Sequence, residues 1–190
     1  MRLILLLVIL MFTANAHANE SLRVPNGKQI MPDGKCEQEE WKDASEQAIN
    51  DKFKILFKKS REYVYACIKP SKESHFTVDL YVAPEDKKLY TLHVSAKLGE
   101  RVLEGERWKE WTTDWPWWDV SDWWANWLRP TDFEKREFLP QRAIEFQIGR
   151  KRFIGNEWRV MLDLSSGSVL FPEKADNLKP ETWMRLNLSN

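Results

Sequence analysis

Apolar and polar side chains alternate along several short runs of this chain, and that alternation limits its fold more than any other feature. In residues 63–68, for example, Val64, Ala66 and Ile68 fall on one side of an extended backbone. A period of two is typical of a β-strand with one face against a core. The same alternation marks residues 53–58, 76–82, 90–98, 144–148 and 158–164.

Between these runs lie turn-forming residues, such as the 84–88 connector and the pair Gly155 and Asn156. No long stretch repeats at helical spacing, and residues 131–134 suit at most one short helix. Short strands separated by turns predict an all-β protein, an antiparallel β-sandwich.

The first residues have the pattern of an export signal. A basic start at Arg2 precedes an apolar run over residues 3–12, and Ala16 and Ala18 form a small-residue cleavage site. We expect a signal peptide at 1–18, then a single domain over 19–190 that is periplasmic or secreted. The alternative is a retained N-terminal anchor. No later run is apolar enough for a transmembrane segment in the mature chain.

The two cysteines, Cys36 and Cys67, both fall in the expected mature chain. Export brings a protein into oxidising conditions, where paired cysteines usually bond. The sequence therefore predicts a disulfide between them, the alternative being two separate buried thiols.

Charge and motifs argue against several classes of function. The 29 basic residues balance the 29 acidic ones, which argues against nucleic acid as a partner. Hydrolase, metalloprotease and phosphate-loop motifs are absent from the sequence, so we predict no enzyme activity and no catalytic residues. His93 falls on the outward side of its run, where a solvated side chain is expected. No cofactor, haem or metal is predicted.

Tryptophan is concentrated in one short segment. Eight of the chain's 11 tryptophans lie within residues 108–127, the Trp-rich segment. Pro116 and Pro130 limit any helix there to a few turns. We predict a long ordered connection with a piece of strand at 123–128.

Residues 33–44 read Asp-Gly, then acidic residues, then Glu-Trp-Lys-Asp-Ala. This order resembles the opening of family 9 carbohydrate-binding modules, which share a β-sandwich with DOMON-like domains. The run from Gly155 to Leu164, with its Trp158, is similar to a late strand of that family. The resemblance implies a jelly-roll-like sandwich and sugar binding. The matching positions are scaffold residues, and the sequence shows no ligand cluster for the calcium ion bound in the family.

The Trp-rich segment is the predicted ligand site. Flat indole faces stack on sugar rings, and interleaved polar groups bond hydroxyls. The predicted ligand, an oligo- or polysaccharide, contacts Trp115, Trp117, Trp118, Asp119, Asp122, Trp123, Trp124, Asn126, Trp127 and Arg129. Two alternatives remain open: the segment is a surface for a protein partner, or its rings form a secondary core.

Overall fold

The computed structural model describes residues 21–85, 88–95, 98–112, 123–126, 131–132, 137–138, 140–165 and 168–190. Within these residues the chain forms two sheets that face each other across a shared apolar core. Neighbouring strands run antiparallel apart from one parallel pair at the sheet edge. The predicted all-β antiparallel sandwich is confirmed.

The first sheet runs in spatial order through β1 (Ser21–Arg23), β15 (Met184–Asn187), β13 (Glu157–Leu164), β5 (Val78–Ala83), β6 (Tyr90–Val94), β7 (Leu98–Glu104) and β8 (Arg107–Trp108), with β14 (Val169–Phe171) also paired to β13. The second sheet runs through β2 (Ser45–Ala48), β3 (Phe53–Lys59), β4 (Tyr63–Pro70), β12 (Ile144–Gly149) and β9 (Trp123–Asn126). A separate ladder joins β10 (Thr131–Asp132) to β11 (Glu137–Phe138).

Helical structure in the described residues is limited to α1 (Gln38–Trp41) and a 3-10 turn at Pro180–Thr182. Neither is long and apolar enough to cross a membrane.

The core follows the alternation of the strands. Val64, Ala66 and Ile68 point between the sheets, whereas Tyr65 and Cys67 point to the outer side of the second sheet. That outer side is covered by residues 33–44, which include α1 and are called the opening segment here. Its Trp41 is buried. A second apolar layer therefore backs this sheet.

Trp158 anchors the centre of the main core. Its side chain is fully buried, and its Nε1 donates to the Phe153 carbonyl at 3.1 Å. The Phe153 ring packs edge-on against it at 5.5 Å between centroids. The aromatic position that carried the late part of the family resemblance is thus a scaffold residue.

Two local predictions were wrong. Residues 90–98 were expected to form one strand, but the chain reverses so that Val94 pairs with Leu98 in adjacent strands. The alternating pattern does not reveal this reversal, because the strands before and after it both direct their apolar side chains to the core side of the sheet. Residues 131–134 suited the cap of one short helix, but residues 131–132 pair as a strand with Glu137–Phe138, and residues 133–134 lie outside the described part of the chain.

The strand expected at 123–128 is confirmed over Trp123–Asn126, which pairs with β12 at the edge of the second sheet. Residues 127–128 lie outside the described part of the chain.

Candidate functional site

The first sheet presents an aromatic and charged surface on its side away from the core. Strand alternation places Tyr81, His93 and Arg101 on this outer side, because their sequence neighbours pack inward. Cross-strand pairing brings Thr91 between Tyr81 and Arg101 in one row. Trp108 on β8 and Trp111, which follows β8, pack against this row of side chains. Six side chains form this outer-face cluster: His93, Trp111, Arg101, Trp108, Tyr81 and Trp183.

Arg101 lies at the centre of the outer-face cluster. Its Cζ is 4.3 Å from the ring centroid of Trp111 and 4.9 Å from that of Trp108. A guanidinium held over indole faces is stabilised by the ring quadrupole, by about 0.5–2 kcal/mol per contact. The two rings therefore fix the cation in place.

Tyr81 extends the cluster across the sheet. Its ring packs edge-on against Trp108 at 5.6 Å and against Trp183 at 5.9 Å. Burial raises the pKa of Tyr81, so its hydroxyl stays protonated. The hydroxyl oxygen accepts an N–H from Arg101 at 3.3 Å.

Gly99 makes room for Trp111. A Cβ at this glycine would come 3.4 Å from Cε3 of Trp111, so the indole lies directly over the backbone of β7. Trp111 nevertheless remains 38% exposed. It is the large aromatic side chain that the described part of the cluster offers to a ligand.

His93 faces outward, as its place in the alternation predicts, but it is not simply solvated. Its Nδ1 lies 2.5 Å from Oδ1 of Asp79, its partner across the strand pair, and its ring contacts Trp111 at 5.3 Å between centroids. The expectation of a lone, solvated histidine was therefore wrong. Pairing between strands supplies the carboxylate, and a chain segment distant in sequence supplies the ring.

Of the ten predicted ligand residues, three lie on strand β9 and seven lie outside the described residues. Trp123 is buried at 5% exposure, its Nε1 donates to Oε2 of Glu100 at 2.8 Å, and its ring stacks on Phe146. This setting suits a packing role. Trp124 and Asn126 lie on β9, opposite Gln147 and Glu145 in the backbone register. The others lie outside the described residues: Trp115, Trp117, Trp118, Asp119, Asp122, Trp127 and Arg129.

Sequence reasoning did not select the residues of the outer-face cluster. Trp108 and Trp111 were recognised as part of the Trp-rich segment, but nothing in the sequence joined them to Arg101 or His93. The sequence signal for this arrangement was Gly105, a turn residue that separates two short runs and allows residues 98–104 and 107–108 to pair as a hairpin. Register across three strands was needed to bring these side chains together.

One solved structure is similar over nearly the whole chain. It is a carbohydrate binding module family 9 from Caldicellulosiruptor kristjanssonii in complex with cellotriose, with a TM-score of 0.52 over 90% of this chain and 94% of that chain. The fold is that of a family 9 carbohydrate-binding module. The two sequences are 12% identical, so the likeness concerns the fold. Neither a protein-family model nor a curated protein matches the sequence.

Family 9 modules bind a calcium ion, so the acidic residues of this chain were compared with the needs of a calcium site. In the described residues, carboxylate oxygens of Asp33, Glu40 and Glu145 lie within 4.8 Å of one another. Both oxygens of Asp33 are already engaged, one by the Lys35 N–H at 2.9 Å and one by its ammonium at 2.6 Å. Both oxygens of Glu145 also accept protein N–H groups, which leaves Glu40, whose Oε2 is buried without a partner in the described residues, as the one carboxylate of the three with unused ligand capacity. Calcium takes six to eight oxygen ligands. These residues do not fit a calcium ion.

Glu145 instead organises the opening segment. Its side chain is fully buried, with Oε2 accepting the backbone N–H groups of Asp33 and Gly34 at 2.8 and 2.7 Å. Its Oε1 accepts Nε1 of Trp41 at 2.7 Å. The Asp-Gly and Trp positions of the opening motif therefore meet at one buried carboxylate. Desolvation on burial raises the pKa of Glu145 even though these donors favour its charged form.

The raised pKa predicts how the contribution of Glu145 to stability depends on pH. Stability from a group with a raised folded-state pKa is full below its ordinary value, 4.5 here, and is lost as pH rises through the folded value. Glu145→Gln does not titrate, so wild type minus this variant isolates the effect. We expect this difference in unfolding free energy to increase as pH falls through the raised folded-state pKa towards 4.5, the ordinary value. Urea denaturation across that range measures it, and a decrease would contradict the raised pKa.

Proposed function

We propose that this protein is an exported, noncatalytic carbohydrate-binding protein whose ligand, an oligo- or polysaccharide, stacks on exposed tryptophans. The observation that carries the proposal is a partly exposed indole, Trp111, held among polar groups on a sandwich with the fold of a sugar-binding module. The neighbour with this fold was solved with cellotriose.

The chemistry of the outer-face cluster supports this role. Indole surface contacts the C–H groups of a sugar ring, and a few polar groups at the margin fix its orientation. Asp79, His93 and Arg101 supply acceptors and donors beside Trp111. Of the predicted residues of the Trp-rich segment, Trp123 packs in the core, and the others from Trp115 to Arg129 remain proposed sugar contacts.

Export is part of the proposal. It rests on the signal-peptide pattern of residues 1–18 and on the Cys36–Cys67 disulfide. Disulfides persist in oxidising compartments and are rare in the cytosol. We therefore assign the protein to the periplasm or the exterior of the cell.

A glycan array followed by calorimetry tests the proposal. We expect saturable binding of at least one oligosaccharide, together with quenching of tryptophan fluorescence as the ligand covers indole surface. An array without any response, confirmed by unchanged fluorescence, would exclude carbohydrate binding.

We expect Trp111→Ala to weaken sugar binding roughly tenfold to a hundredfold, the range for losing one central aromatic contact. The stability of the fold should fall by about 1–2 kcal/mol, because the ring is 38% exposed and its contacts with Arg101 and His93 lie outside the core. Trp111→Phe retains an aromatic surface and should bind at an intermediate level. Calorimetric titration and thermal unfolding measure the two effects.

Met31→Ala is the matched control for that prediction. Met31 is 82% exposed and precedes the opening segment, which packs on the other sheet. It removes an exposed apolar side chain without touching the outer-face cluster. Equal losses of binding in the Met31 and Trp111 variants would argue against a site at Trp111.

A protein partner is the second candidate function. Tryptophan, tyrosine and arginine are the residue types that dominate the energetics of protein interfaces, and the outer-face cluster is built from them. Recovery of a defined partner in a pull-down that depends on Trp111, with no response to sugars, would favour this candidate.

A further inference from the structure

Arg101 carries a positive charge that no neighbouring carboxylate balances in the described part of the chain. The ion pairs there join other residues, and the hydrogen bond of Arg101 goes to the neutral hydroxyl of Tyr81. A guanidinium has five N–H donors, so one such bond leaves most of its capacity unused. A partly buried cation without a counter-ion is a basis for recognising an anion.

The immediate surroundings of Arg101 are also rich in donors. Its own Nε and Nε1 of Trp108 are covered, and neither has an acceptor among the described residues. Both indole faces are directed at the guanidinium, as the distances of 4.3 and 4.9 Å to the ring centroids show. Ring edges are the positive part of the aromatic quadrupole. The guanidinium and these two N–H groups offer donor capacity that the described residues do not use.

Asp79, the carboxylate on the row of side chains next to Arg101, is already paired with His93. Gly99, His93 and Asp79 follow one another across β7, β6 and β5, so His93 lies between Arg101's strand and Asp79. Oδ1 of Asp79 lies 2.5 Å from Nδ1 of His93. The cation and this carboxylate therefore have different partners within the cluster.

We propose that the outer-face cluster selects an anionic carbohydrate, one bearing a carboxylate or sulfate group, and that Arg101 is the residue that selects it. This inference rests on the proposed sugar-binding function. The guanidinium occupies one face of Trp111, with Cζ 4.3 Å from the indole centroid, so a sugar that contacts the margin of this partly exposed ring has the guanidinium as its neighbour. A substituent on the ring then reaches the planar N–H fork, which matches a carboxylate or sulfate oxygen pair.

Three ligands of equal length test the selectivity: a neutral β-1,4-linked gluco-oligosaccharide, its C6-oxidised form with carboxylates, and its C6-sulfated form. Calorimetry of the wild type should show at least one anionic form binding about tenfold or more tightly than the neutral one. The preference should shrink as salt is added, since added ions screen the charge. Whether the oxidised or the sulfated form is preferred identifies the anionic group.

Arg101→Met removes the charge but keeps an apolar stem between the two rings. We expect it to bind all three ligands with affinities within about twofold of one another, while its affinity for the neutral ligand stays close to that of the wild type. Arg101→Lys keeps the charge without the fork and should retain part of the preference. If Arg101→Met does not fold, the lysine variant and the salt titration still decide the outcome.

Arg107→Met is the matched control, because Arg107 is a nearby exposed arginine outside the cluster. It should keep the preference, and an equal loss in both methionine variants would show nonspecific charge attraction and overturn the inference. Equal binding of all three ligands by the wild type would also overturn it while leaving the proposed function intact. Absence of binding to all three, with a silent glycan array, would remove the proposed function itself.

Discussion

Replacing Glu145 by alanine is expected to lower the free energy of unfolding by about 3–5 kcal/mol, as happens when one partner of a buried polar network is removed. The change leaves the N–H groups of Asp33, Gly34 and Trp41 without their acceptor inside the protein. Each buried donor without a partner costs about 1–3 kcal/mol. That combined cost exceeds the relief gained from no longer burying one carboxyl group.

Urea denaturation at neutral pH measures this effect, with Gln147→Ala as the control. Gln147 lies two residues along the same strand on the same side of the sheet, but it is partly exposed. Its removal should change stability by less than about 1 kcal/mol. A loss no larger for Glu145→Ala than for the control would show that the opening segment does not depend on this carboxylate.

The second large effect is expected from the disulfide, since opening the Cys36–Cys67 bond should cost about 3–4 kcal/mol of stability. The predicted bond is present, with a sequence separation of 31 residues. It ties the opening segment to β4, and its absence gives the unfolded chain more conformations. Both cysteines are buried, so a double alanine variant would also lose packing.

Reduced wild-type protein is therefore the better comparison, because it keeps both sulfur atoms. Urea unfolding with and without reductant measures the difference, and mass spectrometry of the exported protein should show the loss of two hydrogens. Two thiols that react with an alkylating reagent in the natively exported protein would contradict the prediction.

Much of the scaffold was predictable because alternation is a local property. The inward positions of β4, Val64, Ala66 and Ile68, belong to the main core as expected, and Tyr65 and Cys67 belong to the outer layer. A strand buries whichever face carries its apolar side chains, so the residue pattern is enough to assign the face. The fold class and the disulfide followed from reasoning of the same local or compositional kind.

The buried lysines show where this reasoning ends. Lys58 is fully buried, with its ammonium group 3.1 Å from Oδ1 of Asp43. Lys59 is buried at 1% exposure and donates to the backbone carbonyls of Val24 and Ser189. The pattern of β3 gives no sign of this, because the segments that cover these side chains come from the two ends of the domain.

The amino-acid sequence by itself determined the core strands β3, β4, β5, β12 and β13, the side of each that faces the core, and the resemblance to family 9 modules. Only the tertiary structure decided which polar and aromatic residues act together. Trp41 and Glu145 are 104 residues apart, and Arg101 meets Trp108 and Trp111 only after β7 and β8 pair. Strand formation depends on the side chains within one run, whereas such clusters depend on register between separate strands, which no single run encodes.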